Sequence, residues 1–146
     1  MGTLARIGLV GCVSKKLEVR SPARELYISA LFLGRRAAVE RTCERWFILS
    51  AKHGLLSPDE IVSPYDQTLS QATTAERREW SGAVLQALDS AVGTVAGVIV
   101  EIHAGADYRD FGLEAGLRTR SAVVEVPTQG MSIGQQLAFY KRERER

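Results

Sequence analysis

Short apolar runs alternate with segments of helical periodicity along this chain, and that alternation limits the folds it can adopt. Helical patterns lie between strand-like runs, and strands separated by helices join into a mostly parallel sheet through right-handed crossovers. The sequence predicts one α/β domain over residues 1–146, a three-layer α/β/α sandwich whose central sheet has about four strands. Residues 136–146 are expected to form a charged helix end. The four strand-like runs, rich in β-branched and large apolar residues, are residues 7–13, 46–49, 98–102 and 122–126.

Local signals predict where the helices begin. Pro22 after Ser21 is typical of a first helical position after an N-cap, and apolar residues recur behind it every three or four positions. This pattern predicts a helix over residues 22–42. Further helices are expected from a capping box at Thr73 and Glu76 to near Gly93, over about 108–115, and from an S-x-x-Q start at Ser132 and Gln135.

Residues 53–69 break the periodic pattern. They contain Pro58 and Pro64 together with aromatic and aliphatic residues. Proline interrupts regular structure, whereas the apolar content is too high for a disordered segment. We expect a long irregular connection that folds over a pocket.

The composition is that of an ordinary globular protein and excludes several classes. Of the 146 residues, 45% are hydrophobic and 25% are charged. No apolar stretch approaches the ~20 residues that span a bilayer, and residues 1–6 contain no secretory apolar region, so we expect a cytoplasmic protein without a membrane role. The net charge of +2 does not favour nucleic-acid binding by composition. Local basic patches are Lys15 with Lys16, Arg35 with Arg36, and the tail 141–146.

The cysteines and histidines give no metal-site signature. Cys12 and Cys43 fall at a predicted strand end and helix end, which favours two free buried thiols over a disulfide. No C-x-x-C or H-x-x-x-H spacing occurs. We therefore predict neither a metal nor a cofactor.

Three polar segments each follow a predicted strand: residues 11–16, 50–54 and 103–108. The loops after the carboxyl ends of parallel strands converge on one edge of a sheet, so these segments predict a single pocket. Such a pocket is the reason to expect an enzyme.

The first two polar segments carry the sharper chemistry. Ser14, Lys15 and Lys16 offer a hydroxyl and two ammonium groups for an anion. Ser50, Lys52 and His53 place a hydroxyl, a cation and an imidazole within four positions. We predict Lys52 and His53 as catalytic and Ser14, Lys15 and Ser50 as substrate-binding residues. In the alternative reading the lysines are solvated, Ser50 caps a turn and His53 is a satisfied hydrogen-bonding residue.

Four more residues complete the predicted site. Tyr65 could supply an aromatic face for a planar base, and Asp66 a catalytic carboxylate that orients water. His103 and Asp107 are predicted to bind substrate; the alternative makes His103 a buried ring and Asp107 a helix cap. A serine hydrolase is disfavoured because the G-x-S-x-G elbow is missing, and a Walker loop is absent as well.

Several blocks of this sequence resemble a bacterial and phage family that is distantly similar to the peroxide-stress protein YaaA. The resemblance implies an α/β fold of the uracil-DNA-glycosylase-like kind, a role in handling modified nucleobases in DNA or RNA, and links to DNA binding and oxidative stress. Val13, inserted between Cys12 and Ser14, departs from the family's Cys-Ser-Lys run. The blocks are Gly11-Cys12 with Ser14-Lys15-Lys16, residues 22–27, 49–56 and 104–108, and Pro64-Tyr65-Asp66 with Leu69. The implied site comprises Ser14, Lys15, Ser50, Lys52, His53, Tyr65 and Asp66.

The leading expectation is an enzyme that acts on a nucleobase, nucleoside or nucleotide, at an N-glycosidic bond or by base modification. Lys15 and Lys52 would hold phosphate or leaving-group charge, Tyr65 would stack the base, Asp66 would orient water and His53 would hydrogen-bond the departing base. The alternatives are a non-catalytic DNA-binding stress-response protein, whose affinity would depend on salt, and a structural or partner-binding module.

Overall fold

A computed structural model of the protein describes residues 5–11 and 15–145. Its helices and strands follow the alternating order that the sequence predicts. The strands are β1 Arg6–Gly11, β2 Ser21–Pro22, β3 Arg45–Ser50, β4 Gly54–Leu56, β5 Ile61–Val62, β6 Ile99–His103 and β7 Val123–Glu125. The helices are α1 Ala23–Leu26, α2 Ala30–Thr42, α3 Thr74–Val92, α4 Ala106–Arg109, α5 Leu113–Thr119 and α6 Ile133–Arg144, with a 3-10 turn at Leu69–Gln71.

Five of the described strands form the central sheet, in the order β4-β3-β1-β6-β7. The pairs β3-β1, β1-β6 and β6-β7 are parallel, and β4 adds an antiparallel edge next to β3. The predicted α/β class and mostly parallel sheet are confirmed. The fifth strand, β4, was not predicted because it lies in the segment read as irregular.

Alternate side chains of the central strands pack into two separate cores. Leu9, Leu49 and Ile102 face the layer that contains α3 and α5, whereas Val10 and Ile48 face Phe32 and Val39 of α2. The period-2 alternation of a strand explains why neighbours such as Leu9 and Val10 serve different layers. Helix α6 packs on α2, where Tyr140 is buried beside Leu31 and Ala38.

The single helix predicted over residues 22–42 is wrong, because the chain is extended at Tyr27. Tyr27 forms an isolated antiparallel bridge with Lys16, and its ring is fully buried. Helix α2 then begins after Ser29, whose Oγ accepts a hydrogen bond from the Phe32 backbone N–H at 3.2 Å. Because the helix is interrupted here, the Tyr27 side chain points toward the end of β3.

Other boundaries follow their sequence signals more closely. The capping boxes at Thr73 and Ser132 are confirmed, and they begin α3 and α6. The short helix expected near 108–115 is instead the pair α4 and α5, separated at Gly112, whose φ of +125° ends regular helical geometry there. No helix among the described residues is long and apolar enough to cross a membrane.

The segment 53–69 is more ordered than we predict from its prolines. Residues 51–53 turn tightly between β3 and β4, with Ser50 paired to Gly54, whose φ is +72°. Strand β5 then pairs antiparallel with β2. This arrangement leaves only the part around Pro64 and Tyr65 irregular, and it brings that part back to the end of β3.

We expect Gly34→Ala to lower the free energy of unfolding by about 1–2 kcal/mol through overpacking between α2 and α6. A Cβ at Gly34 would lie 2.7 Å from the Tyr140 Cβ, whereas a Cβ at Gly82 of α3 would meet nothing within 4 Å. Gly82→Ala is therefore the matched control, and its higher helix propensity should raise stability by up to about 1 kcal/mol. Urea unfolding measures both, and equal shifts for the two variants would contradict the close packing of α6.

Candidate active site

Side chains from four segments meet beside the carboxyl end of β3. Ser50 ends this strand, His53 lies in the following turn, Tyr65 comes from the loop after β5, and Tyr27 follows α1. Lys16 joins them from the segment after β1. We call Lys16, Tyr27, Ser50, His53 and Tyr65 the Tyr65 cluster.

Hydroxyl groups fix the ring of Tyr65 in this cluster. Its Oη lies 2.5 Å from the Tyr27 Oη and 2.6 Å from the Ser50 Oγ. Ser50 Oγ also accepts the His53 backbone N–H at 3.0 Å. Tyr27 and Ser50 are both 0% exposed, so neither can touch a ligand. Ser50, which we predict as a substrate-binding residue, is placed here as an anchor for Tyr65 and for the turn.

Two further groups contact the ring of Tyr65. The Lys16 Nζ lies 4.6 Å from the Tyr65 ring centroid and 5.7 Å from the Tyr27 ring centroid. The His53 ring packs edge-on, with the centroids 5.3 Å apart. Cations are attracted to the negative faces of aromatic rings, so both tyrosines stabilise the Lys16 ammonium at this position.

A cleft of about 510 Å³ opens beside the cluster. Its volume is within the range of small-molecule sites. Its walls combine flat or apolar surface with one cation and two carboxylates, a combination that suits a planar, polar ligand. The lining residues are Lys16, Leu17, Glu18, Pro64, Tyr65 and Asp66.

The predicted residues of the first two polar segments have different positions around the cleft. Asp66 lines it and is exposed, as are Lys15, Lys52 and His53 on the adjoining segments. Lys15, Lys52 and His53 are not among the described residues that line the cleft. Ser14, like Cys12, lies outside the described residues.

The third polar segment does not join the Tyr65 cluster. His103 is 1% exposed; its Nε2 donates to Glu101 Oε1 at 2.6 Å and its Nδ1 lies 2.6 Å from the Tyr140 Oη. Asp107 lies in α4, with Oδ1 3.4 Å from Arg77 Nη1. The structure thus brings two of the three predicted loops together, and His103 corresponds to the buried ring of our alternative reading.

Electrostatics in the buried group around His103 favour an ionised Glu101. Burial would raise the pKa of Glu101, but the hydrogen bonds and charges of His103 and Arg6 outweigh it and hold the pKa below its ordinary value. Burial also raises the pKa of the Tyr140 hydroxyl and of the Cys43 thiol, the latter to about 11. Cys43 is a free thiol, and a thiol with so high a pKa is a poor nucleophile.

One of the predicted basic patches is not a surface patch. Arg35 is 4% exposed, donating to the Gly11 carbonyl at 3.1 Å and to Gln136 Oε1 at 3.2 Å. Arg36 donates to the Arg24 carbonyl at 2.9 Å and pairs with Glu40. Arg35 is therefore wrong as part of a surface patch, whereas Arg36 remains partly exposed in its ion pair with Glu40.

The sequence gives no site role to Tyr27, which lies inside the predicted long helix. It offers Lys16 as an anion-binding ammonium beside Lys15, but the predicted site residues include only Lys15. In the structure Lys16, and not Lys15, contacts the cluster, because the bridge with Tyr27 turns Lys16 toward the tyrosines. The presence of Tyr27 in the block 22–27, which carries part of the family resemblance, was the available signal for a site role of this residue.

The part of the chain that the structure describes holds no group of three or more His, Cys, Asp or Glu residues suited to a metal ion. Sequence comparison adds one finding. The profile of a family of unknown function (DUF6884) matches residues 7–142. Neither the curated proteins nor the solved structures contain a significant match.

Proposed function

Because the chain belongs to the DUF6884 family, whose function is unknown, we propose a function from the cleft itself: the protein is an enzyme that binds a nucleobase, nucleoside or nucleotide and cleaves its N-glycosidic bond. One observation carries this proposal. The ring of Tyr65 is fixed on the cleft wall by the buried hydroxyls of Tyr27 and Ser50.

A fixed aromatic ring suits a nucleobase because every base presents a π face. Stacking of a base on an aromatic side chain contributes about 1–3 kcal/mol. Leu17 and Pro64 add apolar surface to the same cleft. Lys16 can donate to a base carbonyl, and the carboxylates of Glu18 and Asp66 can accept from its N–H groups.

Asp66 on the cleft wall and His53 beside Tyr65 carry groups for hydrolysis. Water attacks C1′ of the sugar, and the C1′–N bond breaks with its electron pair passing to the base nitrogen. The carboxylate of Asp66 accepts the proton from the attacking water. His53, at the edge of Tyr65, is placed to return a proton to the released base.

Two other functions remain as competitors. Base modification would use the same stacking contact but would need a co-substrate. A non-catalytic DNA-binding stress-response protein would depend on surface cations such as Lys15. The bonds of Arg35 and Arg36 within the fold reduce the basic surface available for it. We propose a cytoplasmic enzyme.

The test is a panel of nucleosides, nucleotides and DNA or RNA with normal, modified or damaged bases, assayed for released free base by chromatography. We expect release from at least one class and a loss of tenfold or more in Asp66→Asn, because a general base contributes about 10²–10⁴-fold. Asp59→Asn is the control, since Asp59 is an exposed partner of Arg24 in the same segment. If no class yields free base, glycosidic cleavage is wrong; salt-dependent DNA binding in its place would favour the DNA-binding protein.

A further inference from the structure

We propose that Lys16 is a catalytic residue whose ammonium stabilises the negative charge on the departing base. This inference rests on the proposed function and moves the leaving-group role from Lys15 and Lys52 to Lys16. It replaces Lys15 and Lys52, which are exposed beside the cleft. Lys16 is half-buried and lines the cleft together with Tyr65 and Asp66.

The main chain holds Lys16 on both sides. Lys16 forms the bridge with Tyr27, the Leu17 N–H donates to the Leu26 carbonyl at 2.8 Å, and the Ile28 N–H donates to the Lys15 carbonyl at 3.0 Å. A short antiparallel ladder therefore fixes the backbone from which the side chain extends. This support distinguishes Lys16 from a lysine on a solvated turn.

The aromatic rings hold the other end of the side chain. The Nζ lies over the Tyr65 ring at 4.6 Å and within 5.7 Å of the Tyr27 ring centroid. A cation–π contact is attractive at an exposed site and stronger when water is excluded. The same hydroxyl bonds that fix Tyr65 consequently hold the ammonium over that ring, at the wall of the cleft in which the base would lie.

Cleavage of the C1′–N bond moves an electron pair onto the base. A charge placed in advance where negative charge develops stabilises the transition state more than the ground state. Such an interaction is several times stronger between partly desolvated groups than between groups in bulk water. An exposed ammonium on Lys15 or Lys52 is weakened by water and salt.

The experiment compares nucleosides that share one sugar but carry leaving bases of different acidity, taken from a class that wild type hydrolyses. Without Lys16 the base itself must carry the charge, so the rate should depend more steeply on its acidity. We expect Lys16→Met to lose about tenfold or more with the least acidic base and clearly less with the most acidic one. Lys16→Arg should keep the shallow slope of wild type, and Lys141→Met on α6 is a control that leaves rates unchanged.

The outcomes separate this inference from the proposed function. Absence of turnover in wild type overturns both. Turnover in wild type with the same fractional loss for every base in Lys16→Met shows that Lys16 only binds or supports the fold, and overturns this inference alone. Circular dichroism and thermal unfolding establish that each variant is folded under the assay conditions, so that the dependence of rate on base acidity can be compared between them.

Discussion

Tyr65→Ala is expected to lower kcat/KM at least about a hundredfold and the free energy of unfolding by about 2–4 kcal/mol. The activity falls because the stacking face disappears and the contacts of Lys16 and His53 with the ring are lost with it. Stability falls because the buried hydroxyls of Tyr27 and Ser50 lose their shared partner. Each hydrogen bond that these groups lose costs about 0.5–1.5 kcal/mol, and removal of the half-buried ring adds the loss of its packing.

A second substitution separates the ring from its hydroxyl. Tyr65→Phe keeps the stacking face but breaks both hydroxyl bonds, so we expect most of the stability loss and only a small part of the activity loss. Tyr108→Ala is the control for removal of a half-buried tyrosine: Tyr108 packs edge-on against Trp80, away from the cleft. If Tyr65→Ala retains wild-type turnover, the cleft is not the reaction site.

The central sheet was predictable because its signals are local. The apolar runs that form β1, β3 and β6 are short and rich in β-branched or large apolar residues, which favours buried strands over helices. The capping boxes at Thr73 and Ser132 are also local signals, and they correctly predict where α3 and α6 begin. The meeting of the segments after β1 and β3 then followed from the geometry of parallel strands.

The rest depended on contacts between distant segments. Tyr27 reads as helical in sequence, yet pairing with Lys16 and burial of its ring draw it into an extended conformation. β4 forms because the tight turn after Ser50 returns the chain to an open sheet edge, which outweighs the nearby prolines. His103 and Lys52 both follow strands, and only the fold distinguishes a buried hydrogen-bonded ring from an exposed side chain.

Glu101→Gln is expected to lower the free energy of unfolding by about 1.5–3 kcal/mol at neutral pH, because the buried His103 loses its charged partner and Arg6 keeps only the exposed Glu125. Glu101 is 5% exposed and accepts from Arg6 Nη1 at 2.8 Å and from His103 Nε2 at 2.6 Å. Glu125→Gln is the matched control: its side chain is 44% exposed, although it also pairs with Arg6 at 2.7 Å. For such an exposed pair we expect a loss of less than about 1 kcal/mol.

The same carboxylate predicts how stability depends on pH. Because the pKa of Glu101 in the folded protein lies below its ordinary value of 4.5, folding favours the ionised form. Its contribution is therefore present above about pH 4.5 and is lost as the pH falls through the folded pKa. Urea unfolding between pH 7 and pH 3 should show a shallower acid loss in Glu101→Gln than in wild type, and parallel curves would contradict the assignment. Since the Tyr65 cluster lies apart from this ion pair, base release by the folded variant at neutral pH should match wild type.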